Sequence, residues 1–199
     1  MRPTDLWMMT RIPKGLSLGA LLVAGMIVLL LALAACGGKE EPVSTLKVGM
    51  ISDYVTFDPP LVLGLPDLNT VQHAYDSLVM RNPDLSIQPM LAESWEPNAD
   101  ATQWTFNLRK GVKFSHGKDF KAEDVVFTFN RMFEVDSPLS STLPEDMRVV
   151  VVDDYTVRFE FSQPYAPLLD SLVKYHAMIT PSDVDPARFA AETFGTGPF

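Results

Sequence analysis

The chain has one cysteine and three histidines in 199 residues. A single thiol excludes a disulfide scaffold and leaves no CxxC pair for zinc. His73, His116 and His176 lie in unlike stretches with no second ligand at metal spacing, so neither a metal nor a cofactor is expected. No P-loop, GxSxG elbow, HExxH or GxGxxG run occurs. Ser115-His116 has no orienting acid in view, and neighbouring residues rarely aim at each other. Asp153-Asp154 reads as a turn rather than a catalytic carboxylate pair. The residues therefore point away from an enzyme. Bases are scarce too, with 16 Lys and Arg against 25 Asp and Glu. Such a surface repels phosphate backbones, so nucleic acid is not an expected partner.

Charge is missing altogether from Gly15 to Ala35, "GLSLGALLVAGMIVLLLALAA". A run of this length can cross ~30 Å of hydrocarbon as a helix. Arg2, Arg11 and Lys14 precede it and hold that end in the cytoplasm. The run closes on small residues and then on Cys36, the lone cysteine. Leu33-Ala34-Ala35-Cys36 resembles the bacterial lipoprotein box, in which small side chains admit the peptidase and the thiol takes a diacylglycerol. Several acyl chains, at roughly 0.8 kcal/mol per buried methylene, hold a protein firmly on a membrane. The expected organisation is a signal peptide over 1–35, a lipidated Cys36 opening a flexible tether over 36–45, and a folded portion over 46–199. Cleavage before Cys36 removes three bases and Asp5, leaving 13 bases and 24 acids, a net charge of −11. "GGKEEPVST" has Gly, Pro and charge without periodicity, as a tether should.

Beyond the tether, "TLKVGMI" (Thr45 to Ile51) alternates as a strand. "SDYVTFDPPLVLGLP" follows as extended loop. Asp67 is expected to cap a helix carrying Leu68, Val71, Tyr75, Leu78 and Val79 on one face. "QWTFNLR" puts Trp104, Phe106 and Leu108 on one side of a half-buried strand, which favours core packing over ligand stacking for Trp104. "AEDVVFTFNRMFEV" places Val125, Val126, Phe129, Met132 and Phe133 on a helical stripe. "MRVVVVDDYTVRFEF" reads as a hairpin turning at Asp153-Asp154, with Val157, Phe159 and Phe161 inward. "YAPLLDSLVKYHAMI" reads as a short helix running into a strand, and "DPARFAAETF" as a helix capped by Asp185 with Pro186 at its first position. Strands and helices mix without a βαβ rhythm, so the class is α+β.

Four blocks then stand in register: Leu91-Ala92-Glu93-Ser94-Trp95, Trp104-Thr105-Phe106-Asn107-Leu108-Arg109, Gly111-Val112-Lys113-Phe114 and Ala122-Glu123-Asp124-Val125-Val126. Together with "DDYTVRFEFSQPYAP" and "GTGPF" downstream, they resemble the family 5 extracytoplasmic solute-binding proteins, the peptide- and nickel-type receptors of ABC importers. Lys121 departs from the Thr or Ser that usually caps the helix in this family, a loss on the order of 1 kcal/mol. Ser115-His116-Gly117 replaces the commoner His-Asp-Gly turn.

The resemblance implies the N-terminal part of a two-lobed fold of the type II periplasmic-binding-protein kind, closing on its solute like a hinge. It implies a small solute, foremost a peptide, and ABC permease and ATPase subunits as partners. The location implied is outside the cytoplasmic membrane, held there by the Cys36 lipid. In peptide-binding relatives the segment after the first strand lies along the ligand backbone. Here that segment is "FDPPLVLGLPDLN", which sets Leu63, Gly64 and Leu65 beside the ligand by strand addition. Leu139 matches a loop that can reach the cleft. The family's greater length, with "GTGPF" marking re-entry into the first lobe, implies that this chain corresponds to about the first third of a receptor. The rival readings are a membrane-anchored hydrolase and a structural lipoprotein without transport role. Cys36→Ser is expected to abolish metabolic labelling with a fatty-acid probe and to leave the leader attached in intact-mass spectra. An unmodified thiol on an uncleaved wild-type chain would refute lipidation.

Overall fold

The structure is a computed structural model that describes Gly49 and residues 52–199. The expected signal peptide, the expected lipidation site Cys36, the expected tether and all of the expected first strand except Gly49 lie outside the described residues.

The centre is a four-stranded antiparallel sheet in the order β3-β4-β6-β5. β3 spans Ala92–Pro97, β4 Gln103–Leu108, β5 Arg148–Asp153 and β6 Thr156–Glu160. The alternation expected for β4 is present: Trp104, Phe106 and Leu108 are buried, while Gln103 and Asn107 face solvent. Phe106 sits opposite Val157, and Trp104 opposite Phe159. The long helix α2, Ala122–Glu134, lies across this face. Its Val125, Phe129 and Met132 are fully buried, and Val126 and Phe133 pack at the margin. Phe159 joins the layers through edge-to-face contacts with Phe106 at 5.3 Å and Phe129 at 5.0 Å.

The start of α2 shows how the chain copes with lysine at the cap. A lysine side chain can accept nothing from the first helical N–H groups. Asp124 supplies the other half of a capping box, accepting from the Lys121 N–H at 3.0 Å. Its carboxylate also takes the Ser182 N–H at 2.8 Å and the Lys118 ammonium, so one buried acid ties three segments together.

Several expectations need correction. The first helix, α1, spans Leu65–Ala74, two residues ahead of the expected Asp67 cap. Pro66 presets a helical φ for its first turn. Asp67 turns back instead, accepting from the N–H groups of Val55 and Thr56. Leu78 and Val79 leave the helix for a hairpin of two three-residue strands, β1 (Val79–Arg81) and β2 (Ile87–Pro89). After the short helix α3, Leu168–Leu172, the expected strand is absent among the described residues. Tyr175–Ala177 form a 3-10 turn there. The Asp185 cap forms, accepting from the Ala187 N–H at 3.0 Å, but the turn it opens over Pro186–Ala190 is also 3-10.

The last residues close against the end of α1. Gly197 N–H donates to the Ala74 carbonyl at 2.9 Å, and Phe194 N–H to the buried Tyr75 hydroxyl at 3.1 Å. Burial drives the Tyr75 pKa up to about 12. A Cβ on Gly195 would sit 1.8 Å from the Ala74 carbonyl oxygen, so only glycine fits. Gly195→Ala is expected to cost about 2 kcal/mol or more of stability by forcing these backbones apart. Urea unfolding checks this, and an unchanged midpoint would refute the close packing.

Candidate functional site

The segment from Tyr54 to α1 has little regular structure, yet buried carboxylates hold it in one shape. Asp58 is paired bidentately with Arg131 of α2, Nη1 to Oδ1 at 2.8 Å and Nη2 to Oδ2, both side chains being almost wholly buried. The Arg131 guanidinium also lies over the Phe189 ring, 5.2 Å from its centroid. Asp58 N–H donates to the Thr56 hydroxyl at 3.0 Å. At the far end, the His176 Nε2–H donates to the Val62 carbonyl at 3.0 Å. Val62, Val71, Ala74 and Tyr75 form a small core beneath.

Two of the expected ligand-facing residues rise from this base into solvent. Leu63 is 81% exposed and Leu65 64% exposed, while Gly64 between them is half-buried. The backbone there is less extended than strand addition along the whole segment requires. Val62 and Gly64 have extended dihedrals, but Leu65 already belongs to α1. A Cβ at Gly64 would meet its own chain only at 3.6 Å, so internal packing does not demand glycine. Leu139 is different. It is 1% exposed and sits in the main core at the N-terminal edge of the Ser140–Thr142 turn, where its role is packing. It has no surface to offer a ligand, which corrects the expectation that it reaches the cleft.

The candidate catalytic groups make no nucleophilic arrangement. His116 Nε2 faces Asp183 at 3.1 Å, but no hydrogen bond joins Ser115 to His116 among the described residues. Instead the Ser115 N–H donates to the Gly195 carbonyl. Lys118 Nζ lies 2.7 Å from the Ser182 hydroxyl, a spacing that could suggest a Ser-Lys pair. Burial opposes the lysine's charge, but hydrogen bonds to Asp124 and Glu123 outweigh it and raise its pKa. It stays an ammonium and cannot take a proton from serine. Among the described residues no group of three His, Cys, Asp or Glu could hold a metal, and no helix is long and apolar enough to cross a membrane.

Comparison with known proteins decides the family. The family model "Bacterial extracellular solute-binding proteins, family 5 Middle" matches residues 86–199, more than half of the chain. The chain belongs to this family. A probable D,D-dipeptide-binding periplasmic protein of Escherichia coli is 32% identical over 171 residues, covering 79% of this chain and 33% of the relative. A periplasmic binding protein from Helicobacter pylori, solved with the peptide STSA, superposes with TM-score 0.65 at 29% identity, over 74% of this chain and 34% of the other. A binding protein from A. tumefaciens R10, solved with mannopinic acid, gives TM-score 0.67 at 32% identity, over 74% and 32%. The α+β fold is thus that of a portion of a periplasmic binding protein, and the chain spans about a third of the length of these relatives.

Sequence reasoning missed His176 and Arg131, because each acts on a partner far along the chain. Burial lowers the His176 pKa more than the bond to Val62 raises it, and Lys174 adds to the lowering. The folded state therefore disfavours the charged ring. This contribution is intact above the unfolded pKa of ~6.5 and is lost as pH falls from there through the folded value. Comparing wild type with His176→Gln in urea at pH 7.5 and 5.5 isolates the effect. Wild type should lose more stability on acidification than the variant, and equal losses would refute the assignment.

Proposed function

We propose that the chain is the opening, ligand-contacting portion of a substrate-binding lipoprotein of an ABC importer. It captures peptides or a similar small solute outside the cytoplasmic membrane and delivers them to a permease driven by its ATPase. No catalysis is involved. The lipid on Cys36 keeps the receptor near its translocator.

The observation that carries this reading is the rim of exposed Leu63 and Leu65 flanking Gly64, on a base locked by the buried Asp58–Arg131 ion pair, in a family with peptide-complexed relatives. Single exposed leucines are ordinary, but Leu61, Leu63 and Leu65 are exposed together, and clustered apolar surface marks interaction sites. A rim held rigid by Asp58–Arg131 and His176–Val62 loses little further entropy when a ligand settles on it. Gly64, free of any internal steric demand, lets a ligand backbone come close. Val62 and Gly64 carry the extended backbone to which a peptide adds, and Leu65 supplies an apolar contact.

Titration of the chain with the peptide Ser-Thr-Ser-Ala, followed by amide NMR, tests the proposal. Shifts are expected at Leu63, Gly64 and Leu65, with affinity no better than about millimolar, because closure of a two-lobed receptor needs a second wall. Mannopinic acid in a parallel titration separates a peptide site from an opine site. Shifts confined to other segments, or none with either solute, would overturn the reading.

A further inference from the structure

The two edges of the central sheet differ in kind. β3 carries exposed Glu93, Glu96 and Pro97, all of which discourage another strand from adding. β5 at the opposite edge reads Arg-Val-Val-Val-Val-Asp and pairs only with β6 among the described residues. Val151 and Val152 are each 50% exposed on it. Four consecutive β-branched residues on an open edge form a template for strand pairing, and only the two terminal charges qualify it.

Those charges are complementary to a second copy of the same strand. The ladder with β6 runs Arg148 to Glu160, Val149 to Phe159, Val150 to Arg158 and Val151 to Val157, then skips Val152 and resumes with Asp153 opposite Thr156. The bulge at Val152 turns Asp153 to the same outward face as Arg148 and Val150. Antiparallel pairing about a two-fold axis at Val150 then sets Arg148 opposite the second copy's Asp153. It also sets Val149 opposite Val151, and Val150 opposite its own counterpart. Every pair shares a face, as antiparallel neighbours must. Without the bulge, Arg148 and Asp153 would point to opposite faces. Arg148 has Glu160 beside it on β6, but Arg158 already bridges Glu160 at 2.7 Å, and no ion pair of Arg148 occurs among the described residues.

We infer that β5 is a docking edge for a second copy of this chain, joined antiparallel and registered by reciprocal Arg148–Asp153 pairs. The bulge, usually a device that blunts an edge, here aligns the charges that select the partner. The contact buries the exposed Val151 and completes the outward main-chain hydrogen bonds of β5.

Charge exchange tests this. The full chain, in one detergent held constant across variants, is followed by sedimentation velocity over about a hundredfold concentration range. Wild type should show a concentration-dependent dimer. Arg148→Asp and Asp153→Arg each place like charges opposite one another and should weaken it by about tenfold or more. An equimolar mixture of the two variants should regain association as a mixed dimer, an outcome that association through any other segment would not produce. Asp153 also accepts the Tyr155 N–H in the hairpin turn, so its replacement can disturb the fold. Val150→Lys leaves that turn intact, sets like charges at the axis and should weaken the dimer by itself. A monomeric wild type throughout the range, or variants that dimerise like wild type with no preference for mixing, would overturn the inference.

Discussion

Asp58 and Arg131 are 73 residues apart in the sequence and meet where water is excluded. Their pairing is what allows an irregular, proline-rich segment to have a defined shape at all. Loop backbone gains nothing from a ladder of its own hydrogen bonds, and each ordered residue costs roughly 1–2 kcal/mol of conformational entropy. Leaving either charge buried without the other costs about 3–5 kcal/mol, so the pair acts as an all-or-none clamp on the segment. Phe189 covers the guanidinium from one side, which links the clamp to the turn at Pro186–Ala190.

The same economy recurs at Asp124 and Asp67. Each is buried, and each uses its oxygens to hold backbone N–H groups that no strand or helix satisfies. No buried side-chain polar atom lacks a partner among the described residues. Three carboxylates thus do for the loops what the β-ladder does for the sheet. The sheet and α2 supply the apolar core, and the acids attach the irregular connections to it. Leu63 and Leu65 stand in solvent because the residues on either side of them are already committed.

Much of the framework was legible in the residues. Trp104, Phe106 and Leu108 alternate, and Val125, Phe129 and Met132 recur at helical spacing, because one solvent-facing side and one core-facing side impose a period. The hairpin announced itself through two β-rich runs and a turn, although its turn is Asp154-Tyr155, one residue later than expected, with Asp153 still paired in β5. β1 and β2 did not, since three residues cannot display a period. Leu139 was misplaced for a related reason. An isolated leucine in a loop looks the same whether it points into a cleft or into the core.

The sequence by itself determined the α+β class, the family, and the buried faces of β4, β6 and α2. These depend on neighbours along the chain, where periodicity and turn chemistry operate. Tertiary structure alone decided that Asp67 ties a loop instead of capping a helix, that Arg131 clamps Asp58, and that His176 holds Val62. It also decided that a bulge turns Asp153 to the face of Arg148. Each of these depends on groups brought together from distant positions, and a charge's partner is set by where the chain returns, not by the residues beside it.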